Sequence, residues 1–378
     1  MDTQPPDRHR CDAGFPAAAV VRAMRRAVAR RQLDLSGLRV LTEAGVGYAR
    51  ITAVLAAMAG AEAVLAIGRD TPQASRKDAE QQTGWLAAVA GVQDRVRFFP
   101  SRLQAPLATV DLVTDLPGVR PIDETLTRNL PDTAVVAIMG GAAHWRPADV
   151  DVATCRRAGI AVAGVDEDAL GLYRDLAMEA VWGLLSLGVA VPGAMVLAAG
   201  DGDAYGHVVA ALAALHAHVL VAAPEAAGRI ELYGGRKVGD ALADAGALAR
   251  LPEADALVLC PSSPEQRWFG PGGLDAARLA AAAPHLAVVS QGGEGDRLAL
   301  AGAGLRTWPR PRPGPDPGAL FELVPGPLIE LRAAGLRVGQ AMVHARRRGS
   351  SPLAAEQAAA DEVHAQQLPK DLGGARRT

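Results

Sequence analysis

One stretch limits what this chain can become. Ala194 to Glu225 reads as a short apolar run ending at Gly200, then the turn Gly200-Asp201-Gly202-Asp203-Ala204-Tyr205-Gly206. An alanine-rich helical pattern follows, and a second apolar run closes on Pro224-Glu225. Strand, glycine turn, helix, strand is the unit that holds a dinucleotide pyrophosphate. Gly200 allows the tight turn, Gly202 keeps a side chain away from a phosphate, and Gly206 lets the helix sit close on the strand. The helix N-terminus then offers unpaired N–H groups to an anion. The spacing G-x-G-x-x-x-G is one residue longer than the commonest form. Glu225 is the candidate for bonding a ribose hydroxyl, while Asp201 and Asp203 place negative charge near the phosphate. The competing reading is an α/β unit without nucleotide, whose glycines only make the turn.

At 378 residues the chain is too long for one ordinary domain, and with 49% hydrophobic residues it can bury two cores. A net charge of −2 gives no reason to expect nucleic acid or an anionic membrane as partner. Cys11, Cys155 and Cys260 are odd in number and far apart, which excludes a disulfide scaffold and points to a reducing compartment. The polar, proline-bearing start does not read as a signal peptide. The apolar stretch 184–199 is split by Val191-Pro192-Gly193, so no membrane span is expected and the expected location is the cytoplasm.

Residues 1–13 are expected to be disordered, and Phe15–Gln32 to form an amphipathic helix whose arginines make a solvated face. Strand and helix patterns then alternate. Strands are predicted at Leu38–Glu43, Ala63–Ile67, Arg95–Phe99, Val110–Thr114, Ala134–Met139 and Ile160–Gly164, with helices at Arg50–Ala59, Gln73–Ala90, Asp123–Leu130 and Ala148–Ala158 between them. Asp168–Leu187 reads as one long helix. Beyond the glycine turn come Ile230–Tyr233, the helix Val238–Leu248, a strand at Ala256–Cys260, a helix at Leu274–Ala283 and a strand at Leu286–Ser290. A proline-rich loop, Pro309–Pro317, precedes a last helix, Leu328–Arg346. Such alternation implies parallel sheets covered on both faces. The fold class is therefore α/β: two tandem Rossmann-like, doubly wound parallel-sheet domains joined by a long helix. The boundaries read as 14–187 for the first, substrate-side domain and 188–325 for the dinucleotide-binding domain. Residues 326–347 form a helix returning to the first domain, and 348–378 a mobile tail.

A second glycine turn, Thr42-Glu43-Ala44-Gly45-Val46-Gly47-Tyr48-Ala49, also follows a strand and opens a helix. With Gly60-Ala61-Glu62-Ala63-Val64 and Val92-Gln93-Asp94-Arg95-Val96 downstream, it resembles the cofactor motif of class I methyltransferases. That resemblance implies S-adenosylmethionine approached by Gly45 and Gly47. The ribose-binding carboxylate of that motif falls on Gly68, with Asp70 two residues later. A purely structural turn is the other reading.

Residues 110–345 resemble the two-domain formate/glycerate dehydrogenase superfamily, which includes the D-2-hydroxyacid dehydrogenases and S-adenosylhomocysteine hydrolase. Ala158-Gly159-Ile160-Ala161-Val162 looks like the end of its first domain. Leu251-Pro252-Glu253-Ala254-Asp255-Ala256-Leu257-Val258-Leu259, then Cys260-Pro261-Ser262-Ser263-Pro264-Glu265, is similar to the strand and loop beside its nicotinamide. Val289-Ser290-Gln291-Gly292-Gly293-Glu294-Gly295-Asp296 stands where it has Asn-x-x-Arg-Gly. The resemblance implies NAD or NADP in the second unit, contacted at Pro261, Ser262 and Ser290, a small substrate in the cleft between units, and a homodimer. The chain departs from the family at the substrate-gripping arginine, whose place is taken by Gly292 or a neighbour. His344 stands near the family's catalytic histidine.

Other strand ends offer candidates, because ligands of parallel sheets sit outside the carboxyl ends of strands. In Gly140-Gly141-Ala142-Ala143-His144-Trp145-Arg146-Pro147, His144 is a candidate acid/base and Arg146 an anion clamp, against the reading of a polar loop before a helix. Asp115 and Arg120 follow another strand as candidate substrate-binding groups. Asp166-Glu167-Asp168 reads either as a carboxylate source or as the cap of the long helix. Tyr173 and Glu179 on that helix read as packing or surface. His216 and His218 are two apart and point away from each other, the cysteines lack ligand spacing, and no metal is expected. No P-loop and no G-x-S-x-G elbow occurs. The expected function is an NAD(P)-dependent oxidoreductase acting on a small anionic substrate. The alternatives are a methyltransferase-like protein and a non-catalytic nucleotide binder.

Overall fold

The structure is a computed structural model that describes residues 16–71, 74–141, 145–224, 233–262, 266–270, 272–291, 294–310, 325–363 and 365–368. In chain order the first half carries α1 (Ala17–Arg30), β1 (Arg39–Glu43), α2 (Ile51–Met58), β2 (Ala63–Ile67), α3 (Arg76–Ala90), β3 (Val96–Phe99), β4 (Leu112–Thr114), α4 (Glu124–Thr127), β5 (Val135–Ala137), α5 (Val152–Arg157), β6 (Ala161–Val165) and α6 (Glu167–Leu170). Next come α7 (Leu172–Ser186), β7 (Met195–Gly200), α8 (Tyr205–Ala214), β8 (His218–Ala222), β9 (Arg236–Gly239), α9 (Ala245–Leu248), β10 (Ala256–Cys260), α10 (Ala276–Ala282), β11 (Ala287–Ser290), α11 (Glu294–Gly302) and β12 (Arg306–Trp308). The chain closes with α12 (Gly326–Arg347), α13 (Pro352–Val363) and β13 (Ala365–Gln367).

Two compact units result. Unit 1 holds Met1–Leu170 and Pro325–Thr378, and unit 2 holds Gly171–Val324. The sheet of unit 1 runs β13-β6-β5-β4-β1-β2-β3, and that of unit 2 runs β12-β11-β10-β7-β8-β9. Apart from β13, which lies antiparallel on β6, every neighbouring pair is parallel. Both units thus share one doubly wound order, reversing direction between β1 and β4 and between β7 and β10. The expected fold class is the observed one.

Parallel strands covered on both faces must be apolar throughout, and they are. In β7, Val196 and Ala198 enter one apolar cluster while Leu197 and Ala199 enter another on the opposite face. In unit 1, α12 lies against β4, β5 and β6. Two glycines one turn apart allow the approach: a Cβ on Gly339 would overlap a Leu112 δ-carbon, and one on Gly335 would meet the Met139 sulfur at 2.7 Å. Helix starts are fixed locally, as at α3, where Ser75 and Asp78 form a reciprocal capping box.

Three expectations need correction, and two elements were not anticipated. The long connector is two helices broken at Gly171, whose φ of +83° no helix interior accepts, and the chain passes from unit 1 to unit 2 there rather than after residue 187. The expected helix Val238–Leu248 begins as strand β9, because pairing with β8 satisfies its main chain, and only Ala245–Leu248 is helical. The tail is not all loose: α13 packs on α12, and β13 adds an edge to β6. Strand β12 and helix α11 carried no signal strong enough to read. The expected disorder of 1–13, the run at 230–232 and the proline-rich loop beyond residue 310 lie outside the described residues.

Candidate functional site

Unit 2 places its glycine turn at the sheet's switch point, where β7 and β10 lie side by side. Gly200 ends β7 at φ +144°, and a Cβ there would overlap the Cys260 carbonyl oxygen. A Cβ on Gly202 would overlap the Pro261 carbonyl oxygen, and the Gly202 N–H donates to Cys260 O at 3.2 Å. Both glycines are therefore required by the close passage of the end of β10 and the segment after it. Helix α8 follows with no side chain capping it and no acidic residue in its first turn, and its first amide, that of Tyr205, donates to Gly202 O at 2.9 Å. The helix is anchored from below by buried Tyr205, whose hydroxyl donates to Ala198 O at 2.9 Å. Asp203 accepts from the Tyr173 hydroxyl at 3.2 Å, so Tyr173 steadies the turn, while Asp201 stays exposed. A Cβ on Gly206 would stand 3.3 Å from the Tyr233 ring.

The other expected cofactor contacts fall on the same edge. Pro261 and Ser262 leave β10, where the Ser262 N–H donates to Gln266 Oε1 at 2.8 Å. Buried Ser290 ends β11 in register with Leu259 of β10. The residues Gly200, Gly202, Gly206, Pro261, Ser262 and Ser290 thus lie at the carboxyl ends of β7, β10 and β11 and at the start of α8. Glu225 and Gly292 lie outside the described residues.

The first glycine turn is filled by its own chain. The Gly45 N–H donates to Thr83 Oγ1, which donates back to Gly45 O, both at 3.1 Å. The Gly47 N–H donates to Gln82 Oε1 at 3.2 Å. Asp70 accepts from the Arg76 amide at 2.8 Å and serves the start of α3. Over the switch point itself lies Gly118, where a Cβ would come 2.6 Å from Glu43 Cβ and 2.9 Å from Ile67 O. The amides that a methyltransferase reading needs for its cofactor are spent, and the turn is structural.

Charged groups gather at the carboxyl edge of the unit 1 sheet. Asp115 follows β4, is 4% exposed, and accepts from the Met139 N–H at 2.7 Å and from Arg120 Nη2 at 3.0 Å. Arg120 also reaches Asp149 at 2.9 Å through Nη1 and the Asp115 carbonyl through Nε. All three of its guanidinium nitrogens are engaged, so Asp115 and Arg120 form an ion network rather than the open substrate groups expected. Arg146 is exposed on the loop after β5, and His144 lies outside the described residues. Asp166 caps α6 by accepting from the Ala169 N–H at 2.9 Å, while buried Glu167 turns inward and accepts from the Gly141 N–H at 2.8 Å.

His344 is not part of this edge. Helix α12 runs against the strand direction: Arg332 donates to Met139 O beyond β5, whereas Arg346 and Arg347 bond to Gly159 O and Asp111, ahead of β6 and β4. Twelve residues of helix place His344 roughly 18 Å along the axis from Arg332, beside Asp34 at the opposite edge.

Two groups escaped the sequence reading as site residues. Glu43 ends β1, is 6% exposed, and accepts from the Gly118 N–H at 3.1 Å. Burial pushes its carboxyl above the ordinary value, against the pull of Arg332 and the Gly118 amide. Half-buried Arg332 on α12 is the second. Burial works against its charge too, but arginine starts so high that it stays cationic. An arginine within the helical stretch Leu328–Leu336 was the only signal.

No protein-family model and no curated protein matches the chain. Solved structures do. The A chain of dipicolinate synthase from Bacillus subtilis is 14% identical, over 83% of this chain and 99% of that one, with a TM-score of 0.54. The pyruvate reductase of Chlamydomonas reinhardtii is 12% identical over 82% and 97%, at 0.47. D-lactate dehydrogenase with NAD+ from Lactobacillus jensenii is 12% identical over 81% and 97%, at 0.45. The Bacillus likeness carries the fold: the chain has the two-domain Rossmann-type architecture that its sequence resemblance implied. No described helix is long and apolar enough to cross a membrane, and no group of His, Cys, Asp and Glu among the described residues could hold a metal ion.

Proposed function

We propose that unit 2 binds NAD or NADP and that the protein is an oxidoreductase acting on a small anionic substrate. The observation that carries this reading is the start of α8, which has no side-chain cap, behind Gly200 and Gly202 at the β7/β10 switch point. The residues present fit the group. A glycine turn leading into a helix start without a side-chain cap suits a diphosphate, although exposed Asp201 opposes it. Pro261, Ser262 and Ser290 would flank the nicotinamide, and Glu225 would take the ribose. When bound, the cofactor would supply hydride transfer at its nicotinamide ring.

The proton is assigned to His144, from its place after β5. Arg146, exposed on the same loop, is assigned to hold the substrate's anionic group. A homodimer is also proposed. It is supported by Met178, Trp182 and Leu185, three large apolar side chains 54–60% exposed in one row along α7. Light scattering of wild type beside Trp182→Glu reads that point, and a wild-type monomer removes it.

Thermal-shift titration with NAD, NADP and S-adenosylmethionine tests the cofactor, since a ligand held only by the native state raises the melting point. A rise with a nicotinamide nucleotide is expected. A rise with S-adenosylmethionine alone overturns the reading. Gly292 at the family arginine's place favours one second reading, nucleotide binding without turnover. Nucleotide binding in a chain that reduces no 2-oxo acid supports it.

A further inference from the structure

Four strand ends of unit 1 carry groups within the reach of one arginine's charge or hydrogen bond. Glu43 ends β1, Asp115 follows β4, Met139 follows β5 and Glu167 follows β6, while Arg332 reaches over them from α12. Three carboxylates feel the Arg332 charge or lend it support, yet each is tied elsewhere. Glu43 holds the Gly118 amide, Asp115 holds Arg120 and the Met139 amide, and Glu167 holds the Gly141 amide. Among the described residues Arg332 makes one hydrogen bond, from Nη1 to Met139 O at 2.8 Å, and no ion pair. Most of a five-donor planar fork is thus left over at the edge where parallel sheets take ligands. A half-buried cation whose donors are mostly unbonded is costly even with carboxylates near it, and a bidentate carboxylate is its natural complement. The other arginine of this edge, Arg120, has each of its three nitrogens bonded within the protein, and the superfamily's own clamp is absent at Gly292.

We propose that Arg332, beside Glu43 and over the end of β5, is the anion clamp of this protein and grips a small carboxylate ligand in unit 1. Its part in turnover rests on the proposed function; the binding itself does not. Glu43, held by Gly118, borders the site and restricts it to ligands that carry their negative charge toward Arg332.

Isothermal titration of the full chain without nucleotide, using pyruvate, malonate and inorganic phosphate, tests this. At least one carboxylate should bind, and more tightly than phosphate. Arg332→Lys, which keeps the charge and the reach to Met139 O, should weaken it tenfold or more, while Arg22→Gln on exposed α1 should change nothing. Circular dichroism checks that the variants fold. Should Arg332→Lys not fold, Glu43→Gln measured at alkaline pH decides: removing that carboxylate charge should tighten the ligand severalfold. Silence with both carboxylates, preference for phosphate, full affinity in Arg332→Lys, loss in Arg22→Gln, or no gain in Glu43→Gln overturns the proposal. A carboxylate that binds while NAD gives no thermal shift removes the proposed function and leaves this site standing; the reverse pair of results removes this site alone.

Discussion

Replacing Gly202 by alanine separates a nucleotide turn from a merely tight one. The added Cβ would overlap the Pro261 carbonyl oxygen and come within 2.9 Å of its carbon. The obstacle is main chain, so it cannot swivel aside, and the segment carrying Pro261 and Ser262 must move. Overpacking of this kind costs about 1–3 kcal/mol, and a unit of this size loses about 2–4 °C per kcal/mol. A fall of roughly 2–12 °C in the melting point follows from these two figures. At a hundredfold excess over Kd, a nucleotide adds about 2.7 kcal/mol to the native state, which is roughly 5–10 °C on the same scale. In Gly202→Ala that rise should vanish, because the displaced segment is the one expected against the nicotinamide. Gly193→Ala is the control. Gly193 sits at φ +79° in the same unit with nothing within 4 Å of an added Cβ. It should lose about 1–2 kcal/mol through backbone strain and keep the full rise with NAD. Differential scanning fluorimetry with and without NAD reads all four states. A full nucleotide-dependent rise in Gly202→Ala, or its loss in Gly193→Ala, would refute the reasoning.

Other consequences follow from single contacts. Thr83→Ala leaves the buried Gly45 amide unpaired and should cost about 1–3 kcal/mol in urea unfolding, while S-adenosylmethionine shifts neither protein; a shift in the wild type reopens the methyltransferase reading. Gly339→Val should lower the urea midpoint of unit 1 by the equivalent of about 1–3 kcal/mol or more, because its side chain would overlap Leu112; an unchanged midpoint means α12 is not seated as described. The Thr154 hydroxyl and amide hold Asp151 below its ordinary value of 3.8. Its contribution is therefore complete above that value and lost as pH falls through the lower folded value. Asp151→Ala should cost about 0.5–2 kcal/mol at neutral pH, a gap that closes in strong acid; a gap that persists there points to packing rather than the cap.

The sequence alone determined the layered architecture. Alternating apolar runs and helical patterns leave only parallel sheets with both faces covered, and glycine at 200 and 202 fixes a turn after β7 whatever surrounds it. These are local consequences of side-chain period and backbone freedom. It could not tell whether the turn at Gly45 is open or filled, because Thr83, Gln82 and Gly118 reach it from other elements. Nor could it rank the charged residues. Asp115 and Arg120 looked available until Asp149 and Met139 claimed their hydrogen bonds, and His344 looked well placed until the direction of α12 carried it to the far edge. Arg332 became a candidate only because four strand ends converge beneath a helix more than 150 residues later in the chain. Which polar groups are left unsatisfied is a property of the packed whole, and only tertiary structure can decide it.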